Sequence, residues 1–280
     1  MNILSIDVED WYMSYDSSQI AVSAWHSLES RIRPNIESIL AFLDSNNTKA
    51  TFYIMGWVAE HHPGLAREIV KQGHEVGYHS YHHQLPVKQG PDAFERDLVE
   101  GLKVLEDDIG QKVVHYRAPR FSLCHRTNWT LPILVSHGIE VSSSVKSVRR
   151  FGSELVPIHP FYFSYEGISL LEMPLNQASW AGINWVFTGS GYFRIMPFWL
   201  IRKLYLQYDY NMAYFHPRDF DTDVPTTSLL PFYRNIMCRL GNHTTTVKLS
   251  RLMNELDFLT VGAAAAKAKE SPGTLPVLYL

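Results

Sequence analysis

The chain has 280 residues, of which 46% are hydrophobic and 19% are charged, with a formal net charge of −3. This composition allows a large buried core, excludes a disordered chain and argues against the broad basic surface of a nucleic-acid-binding protein. Two cysteines, Cys124 and Cys238, are too few for a disulfide framework or an all-cysteine zinc site. There is neither a basic leader followed by an apolar segment nor a run of about 20 apolar residues, so we expect a cytoplasmic protein without a transmembrane segment.

Short β-type runs alternate with amphipathic helical patterns along nearly the whole chain. The predicted strands are 2–6, 51–55, 75–78, 113–116, 139–143, 170–173, 212–215 and 258–261. Apolar spacing predicts helices around Ile36 to Leu43, over 63–72, from Phe94 to Leu105 with Gly110 as the stop, and over 131–137 and 247–256. Repeated βα units indicate an α/β fold with a mostly parallel sheet, either closed into a barrel or open and doubly wound.

The chain is predicted to form a single domain over residues 1–262. Within it, residues 176–194 lack clean periodicity and are interpreted as a long inserted loop. Residues 263–280 begin with four alanines and are interpreted as a poorly anchored C-terminal tail.

Polar residues follow several of the predicted strands, where parallel α/β folds place their functional groups. The first strand runs into acidic residues 7–10, the third into the histidines of 79–83, the fourth into Arg117 and Arg120, and a later one into 216–219. We therefore expect these acids, histidines and arginines to converge on one rim of the sheet.

His79 and His83 are four residues apart, so in a helical turn both imidazoles would project from one side and could share a metal ion. A carboxylate from another strand would complete a site with positions open to water. The alternative interpretation is a pair of surface histidines.

Four stretches together resemble the motifs of the polysaccharide deacetylase family, the NodB-homology carbohydrate esterases: residues 5–9, 79–83, 117–119 and His216. A bacterial subgroup associated with surface and exopolysaccharide synthesis is similar in further stretches, here 117–122, 191–194 and 215–217. The resemblance implies a distorted (β/α) barrel of the NodB-homology type and metal-assisted N-deacetylation, with a divalent ion such as Zn²⁺.

The resemblance also implies catalytic roles. Asp7 would be the general base, Arg117 would keep Asp7 ionised, and His216 would protonate the departing amine as general acid. The alternatives are a structural ion pair for Asp7 and Arg117, and a core histidine for His216.

The first motif departs from the usual pair of adjacent aspartates, because Val8 occupies the second place. Side chains alternate along a strand, so Asp7 and Glu9 should face the same way, and Glu9 is predicted as the metal ligand beside His79 and His83. Asp10 remains the alternative carboxylate. Glu172 is a candidate for the acid that tunes the catalytic histidine.

Arg120, Tyr192 and Arg194 are the predicted substrate-binding residues, and an arginine at position 120 would suit a phosphate or carboxylate, with a surface ion pair as the alternative. The predicted partner is an N-acetylated amino sugar, as a nucleotide- or lipid-linked precursor of a surface polysaccharide. The alternatives are a related deformylase, a metal-independent allantoinase-like amidase, and an inactive homologue that binds glycans.

Overall fold

The computed structural model describes residues 1–13, 20–148, 150–180, 183–270 and 275–280. In these ranges the strands are β1 Asn2–Val8, β2 Thr51–Ile54, β3 Glu75–Tyr78, β4 His115–Tyr116, β5 Val141–Ser142, β6 Arg150–Phe151, β7 Glu154–Leu155, β8 Phe161–Tyr165, β9 Ile168–Glu172, β10 Ala178–Trp180, β11 Ile183–Trp185, β12 Asn211–Phe215, β13 Phe258–Leu259 and β14 Val277–Tyr279.

The α-helices described are α1 Ile32–Ser45, α2 Gly56–His61, α3 Leu65–Lys71, α4 Pro86–Gln89, α5 Pro91–Ile109, α6 Thr130–Ser136, α7 Ser190–Ile195, α8 Phe198–Gln207, α9 Phe232–Arg239, α10 Thr245–Met253 and α11 Val261–Glu270. Short 3-10 turns cover Val22–Ser27, Pro119–Phe121, His125–Thr127, Pro217–Asp219 and Asn242–Thr244. In this part of the chain, no helix has the length and apolar character needed to cross a bilayer.

Ten strands form one sheet in the order β12-β1-β2-β3-β4-β5-β9-β8-β14, with β13 also paired to β1. Every recorded pairing in this sheet is parallel except that of β8 with β9. The prediction of a mostly parallel α/β fold is confirmed.

Residues near the two ends of the sheet contact each other, which shows that the sheet is curled. Asn176, just after β9, donates to the carbonyl of Tyr210 at 2.9 Å and accepts from the amide of Met212 on β12 at 2.9 Å. Apolar side chains from β1, β2, β5, β9 and β12 accordingly pack in one internal cluster, which includes Ile3, Tyr53, Val141, Leu171 and Met212.

The helical periodicities correspond to buried faces. In α1 the buried side chains include Ile36, Ile39, Leu40 and Leu43, the set that predicted this helix. Helix α5 ends at Gly110, whose φ of 72° is readily adopted by glycine and stops the helix.

Residues 176–194 are not a long loop, and this prediction is wrong for the part that the structure describes. They contain the antiparallel pair β10–β11 and the first residues of α7. Gly189 approaches the backbone of Tyr214 on β12 so closely that a Cβ atom would collide with the Tyr214 carbonyl. The segment lacked a clean period because its strands have three residues each.

The prediction of a poorly anchored tail after residue 262 is also wrong, and that boundary falls inside α11. Helix α11 buries Val261, Ala264, Ala265 and Ala268, and three of these four belong to the internal cluster of the curled sheet. Its first turn is fixed by Glu75, which accepts from the Gly262 amide at 2.8 Å. Strand β14 then pairs with β8. Small alanine side chains let this helix pack closely against the sheet, which explains the run of four alanines.

Candidate metal centre and catalytic residues

The functional residues predicted from the strand ends lie together at the carboxyl end of the sheet. Asp7 is near the end of β1, Glu9 follows it, His79 follows β3, Arg117 follows β4 and His216 follows β12. A cavity of ≈ 200 Å³ opens there, and its lining residues are Asp7, Glu9, His83, Arg120, Phe121, Lys146, Ser190, Tyr214, His216 and Arg218.

Glu9, His79 and His83 form the tightest group of potential ligands. The Oε1 atom of Glu9 lies 3.1 Å from Nε2 of His79 and 3.0 Å from Nε2 of His83. All three side chains are at most 6% exposed. Burial alone would raise the pKa of Glu9, but the charges of His83 and His216 hold it well below its usual range.

The loop that carries the two histidines is not the helical turn expected from their spacing. Residues 79–85 form a bend in which Ser80 and His83 adopt left-handed φ values of 60° and 56°. Asp97 on α5 stabilises the bend by accepting two contacts from the Tyr81 amide, each at 3.1 Å. The histidines therefore reach the same carboxylate through a strained loop instead of through helical periodicity.

The donor set fits a divalent metal ion. Two ligands of one tetrahedral zinc ion lie about 3.3 Å apart when the bonds measure about 2.0–2.1 Å, close to the spacing of these atoms. His79 donates its Nδ1 proton to the carbonyl of Arg117 at 2.8 Å, which leaves the Nε2 lone pair for a metal. Among the described residues, the buried Nε2 of His83 has no hydrogen-bond partner of good geometry.

Asp10, the alternative carboxylate ligand, lies in a different environment. Its oxygens accept from the hydroxyl of Ser30 at 2.7 Å and from the backbone amides of Trp11 at 2.8 Å and Arg31 at 3.0 Å. Burial raises the pKa of Asp10 to about 6 in spite of these bonds. Asp7 on β1 and Glu9 directly after it thus line the cavity, whereas Asp10 does not.

Asp7 and Arg117 form a buried ion pair at the inner side of the cavity. The Arg117 guanidinium donates to Oδ1 of Asp7 at 2.6 Å, to Ser5 at 2.8 Å and to the hydroxyl of Ser143 at 2.9 Å. It also lies 4.0 Å from the centre of the Tyr53 ring. With its donors engaged and its side chain fully buried, Arg117 fixes the position of the Asp7 carboxylate.

His216 is oriented by an acid that sequence reasoning gave no role. Nδ1 of His216 lies 3.1 Å from Oδ2 of Asp219, which also accepts from the His216 amide at 2.8 Å. Burial would raise the pKa of Asp219, but His216, Arg194 and Arg218 lower it to about 2. The carboxylate therefore accepts a hydrogen bond from the Nδ1–H group of His216. Nε2 of His216 lies 3.9 Å from Oε1 of Glu9.

Glu172, the acid expected to tune the histidine, does not contact it in the structure. One carboxylate oxygen accepts from the backbone amides of Ser144 at 2.6 Å and Val145 at 3.1 Å, so Glu172 instead organises the turn after β5. Burial raises the pKa of Glu172 to about 7.

The three predicted substrate-binding residues differ in their placement. Arg120 is exposed and lines the cavity, and its contact with substrate stays a prediction. Tyr192 is exposed but outside the lining set, with its ring 5.4 Å from that of Trp185. Arg194 is buried: it lies 3.3 Å from Asp219 and donates to the carbonyls of Met237 and Cys238, so the structure contradicts a substrate contact for it.

Two family models match adjoining parts of the chain. Residues 9–141 match the model described as polysaccharide deacetylase, and residues 143–266 match one described as a domain of unknown function (DUF3473). The first match contains Glu9, the paired histidines and Arg117, whereas His216 and Asp219 lie in the second.

Curated relatives are similar over part of their length. The peptidoglycan-N-acetylglucosamine deacetylase of Bacillus cereus is 27% identical over 81 residues, 29% of this chain and 38% of that protein. The peptidoglycan-N-acetylglucosamine deacetylase PgdA of Listeria monocytogenes is 27% identical over 115 residues, 41% of this chain and 24% of that protein. The matched segments thus span less than two fifths of these relatives.

Solved structures share the fold. A crystal structure of an inferred polysaccharide deacetylase from Mycobacterium smegmatis superposes with a TM-score of 0.64 at 21% identity, covering 99% of this chain and 94% of the other. The Bacillus anthracis protein BA3943, described as a CE4 family pseudoenzyme, gives 0.52 at 14% identity and covers 100% and 69%.

Proposed function

The chain belongs to the polysaccharide deacetylase family, and from this premise we propose that it is a metal-dependent hydrolase that removes the acetyl group from an N-acetylated amino sugar. One observation carries the proposal. The ligand atoms of Glu9, His79 and His83 lie within 4.8 Å of one another. Glu9 and His83 line the same cavity as Asp7 and His216. A set of metal ligands, a base and an acid are the parts of metal-assisted amide hydrolysis.

In this mechanism Glu9, His79 and His83 would hold a divalent metal ion. When bound, such an ion would polarise the amide carbonyl and lower the pKa of the attacking water. Asp7, fixed by Arg117, accepts the proton of the attacking water. His216 then donates the proton at Nε2 to the departing amine, while Asp219 holds the proton at Nδ1 and keeps the ring in this orientation.

Asp7, Glu9 and His216 form a second group whose potential ligand atoms also lie within 4.8 Å of one another. Two contacts favour the first group as the metal site. Asp7 is paired with the Arg117 guanidinium at 2.6 Å, and a cation so close opposes a second positive charge on the same carboxylate. His216 is already oriented by Asp219 for proton transfer.

The proposed setting is the synthesis of a surface polysaccharide in the cytoplasm, with a nucleotide- or lipid-linked sugar as the substrate. Arg120 on the cavity wall supports a substrate that carries an anionic group. Tyr192 stays a predicted substrate contact, and for Arg194 we propose a positioning role behind Asp219.

The test is product analysis on matched amides. The purified full chain, supplied with Zn²⁺, is incubated with N-acetylglucosamine oligomers, with an N-formyl amino sugar and with allantoin. We expect acetate from the first substrate and its loss on chelation. Formate alone would support the deformylase, and metal-independent allantoin hydrolysis the other amidase. Binding of the oligomer without any product would support the inactive glycan-binding homologue.

A further inference from the structure

A second cavity adjoins the catalytic one. It measures ≈ 360 Å³, and seven of its eleven lining residues are apolar: Leu85, Val87, Phe121, Leu123, Val145, Phe151 and Val156. The other four are Arg120, Ser122, Cys124 and Lys146. The catalytic cavity, at ≈ 200 Å³, is smaller than the roughly 300–1,000 Å³ of most ligand sites, so a substrate of ordinary size extends beyond it.

Arg120, Phe121 and Lys146 line both cavities and therefore mark their junction. Two of these three side chains are cationic. The order along the cleft is thus a catalytic compartment, a positively charged junction and an apolar compartment.

The backbone at this junction is held in an uncommon conformation. Arg120 and Phe121 have φ values of 60° and 53°, a region that residues other than glycine rarely adopt. The Phe121 ring lies 4.8 Å from the Arg117 guanidinium and contacts the ring of Tyr214 edge to face at 5.2 Å. The strained turn therefore packs against the catalytic Arg117, and strained backbone is often found at functional sites.

Residues 144–146 form the other wall of the junction, and hydrogen bonds hold this wall in place as well. The amide of Val145, next to Lys146, donates to Glu172, and the Val145 carbonyl accepts from Leu175 at 2.9 Å. The two walls are joined because Ser144 accepts at its carbonyl from the Leu123 amide at 3.2 Å. The two cavities therefore share a preformed frame.

We propose that the substrate is an amino sugar joined through a phosphate group to an apolar hydrocarbon chain. The sugar occupies the catalytic cavity, the phosphate lies beside Arg120 and Lys146, and the first part of the chain fills the apolar cavity. This assignment rests on the proposed deacetylase function for the reaction itself, but the phosphate and chain sites are defined by residues outside the metal group.

A sugar nucleotide would also place phosphate at the junction, but the second cavity suits it poorly. Recognition of a nucleobase needs several hydrogen-bonding groups aimed at its edge, because an unpaired polar edge is costly to bury. Besides the two cations of the junction, its side chains offer one hydroxyl, that of Ser122, and one thiol, that of Cys124, among seven apolar side chains. Charge at the junction and apolar surface beyond it favour a lipid-linked sugar.

The experiment measures binding of geranyl phosphate to the full chain by calorimetry, with inorganic phosphate and UDP-N-acetylglucosamine as comparison ligands. We expect geranyl phosphate to bind at least tenfold more tightly than either. Val87→Asp places a charge in the apolar cavity and should weaken this binding at least tenfold. Lys146→Ala should weaken it about tenfold, because it removes one of the two cations beside the phosphate.

Val99→Asp is the matched control for the first variant. Val99, on α5, is 45% exposed and Val87 is 38% exposed, and Val99 lies outside both cavities. Melting curves establish that all variants are folded. Hydrolysis of N-acetylglucosamine oligomers by the wild type and by Val87→Asp reports the deacetylase reaction independently of the lipid site, because Val87 does not line the catalytic cavity.

The proposal is overturned if geranyl phosphate binds no better than inorganic phosphate, or if Val87→Asp and Val99→Asp behave alike. Tighter binding of UDP-N-acetylglucosamine, unaffected by Val87→Asp, would assign the cleft to a sugar nucleotide. Oligomer hydrolysis without geranyl phosphate binding would refute the lipid site and keep the deacetylase. Geranyl phosphate binding in a protein inert towards every amide would refute the deacetylase and keep the binding site.

Discussion

Replacing Asp219 by Asn tests whether the acid behind His216 contributes to proton transfer. The surroundings lower the pKa of Asp219 from 3.8 to about 2, which corresponds to roughly 2 kcal/mol of preference for the carboxylate. Burial opposes this shift, and His216 is the main group that produces it. Because this carboxylate accepts from Nδ1–H of His216 and so leaves Nε2 to face the substrate, an amide in its place should misorient the acid and lower kcat by roughly tenfold or more.

The assay is steady-state deacetylation by Asp219→Asn, with metal content and a melting curve measured on the same protein. We expect kcat to fall while KM and metal content stay near wild type, since Asp219 touches neither the cavity nor the ligands. The low pKa of Asp219 also stabilises the wild type above pH 4, and this contribution is lost as the pH falls through about 2.

Asp221→Asn is the matched control, two residues further along the same loop. Asp221 is also buried and accepts from Arg31 at 2.9 Å and 3.0 Å, but it does not contact His216. This variant should lose stability and keep its kcat. A folded Asp219→Asn protein with the kcat of the wild type would refute the role assigned to Asp219.

Further predictions concern the metal carboxylate, the buried acid and the C-terminal helix. Glu9→Gln should weaken metal retention at least tenfold, with turnover partly recovered at high Zn²⁺. Asp10→Asn should keep the metal, and metal analysis showing the reverse would make Asp10 the ligand. Burial raises the pKa of Glu172 from 4.5 to about 7. Its contribution to stability is therefore complete below pH 4.5 and is lost as the pH rises through 7. Glu172→Gln should reduce the stability difference between pH 5 and pH 8 by roughly 2–3 kcal/mol in denaturant titrations, and an unchanged difference would contradict this. Ala264→Asp should lower the free energy of unfolding by several kcal/mol because Ala264 is fully buried, and a wild-type melting temperature would restore the idea of a loose tail.

The alternating strands and helices could be predicted because their signals are local. The apolar spacing from Ile36 to Leu43 reports one buried face, and it needs no knowledge of what covers that face. The anchoring of α11 could not be read in this way. It depends on Glu75, which is 187 residues from Gly262 in the chain, and on the internal cluster of the sheet, into which Val261, Ala264 and Ala265 pack.

The site residues also divide into those with a local sequence signal and those placed by contacts distant in the chain. Asp7 and Glu9 follow from alternation on one strand, and the structure places both on the cavity. Asp219 carried a local signal, since an acid three residues after His216 caps the short turn that begins there. The position of Arg194 carried none, because it is set by contacts between α7 and the carbonyls at the end of α9.

Metal binding and base catalysis are assigned to different residues of one cavity. Parallel measurement of bound zinc and released acetate tests this assignment most directly. Asp7→Asn should bind about one zinc ion per chain and release no acetate from N-acetylglucosamine oligomers. The double variant His79→Ala, His83→Ala should lose both the zinc and the acetate. Wild-type acetate release by Asp7→Asn, or full zinc binding by the double variant, would contradict the account.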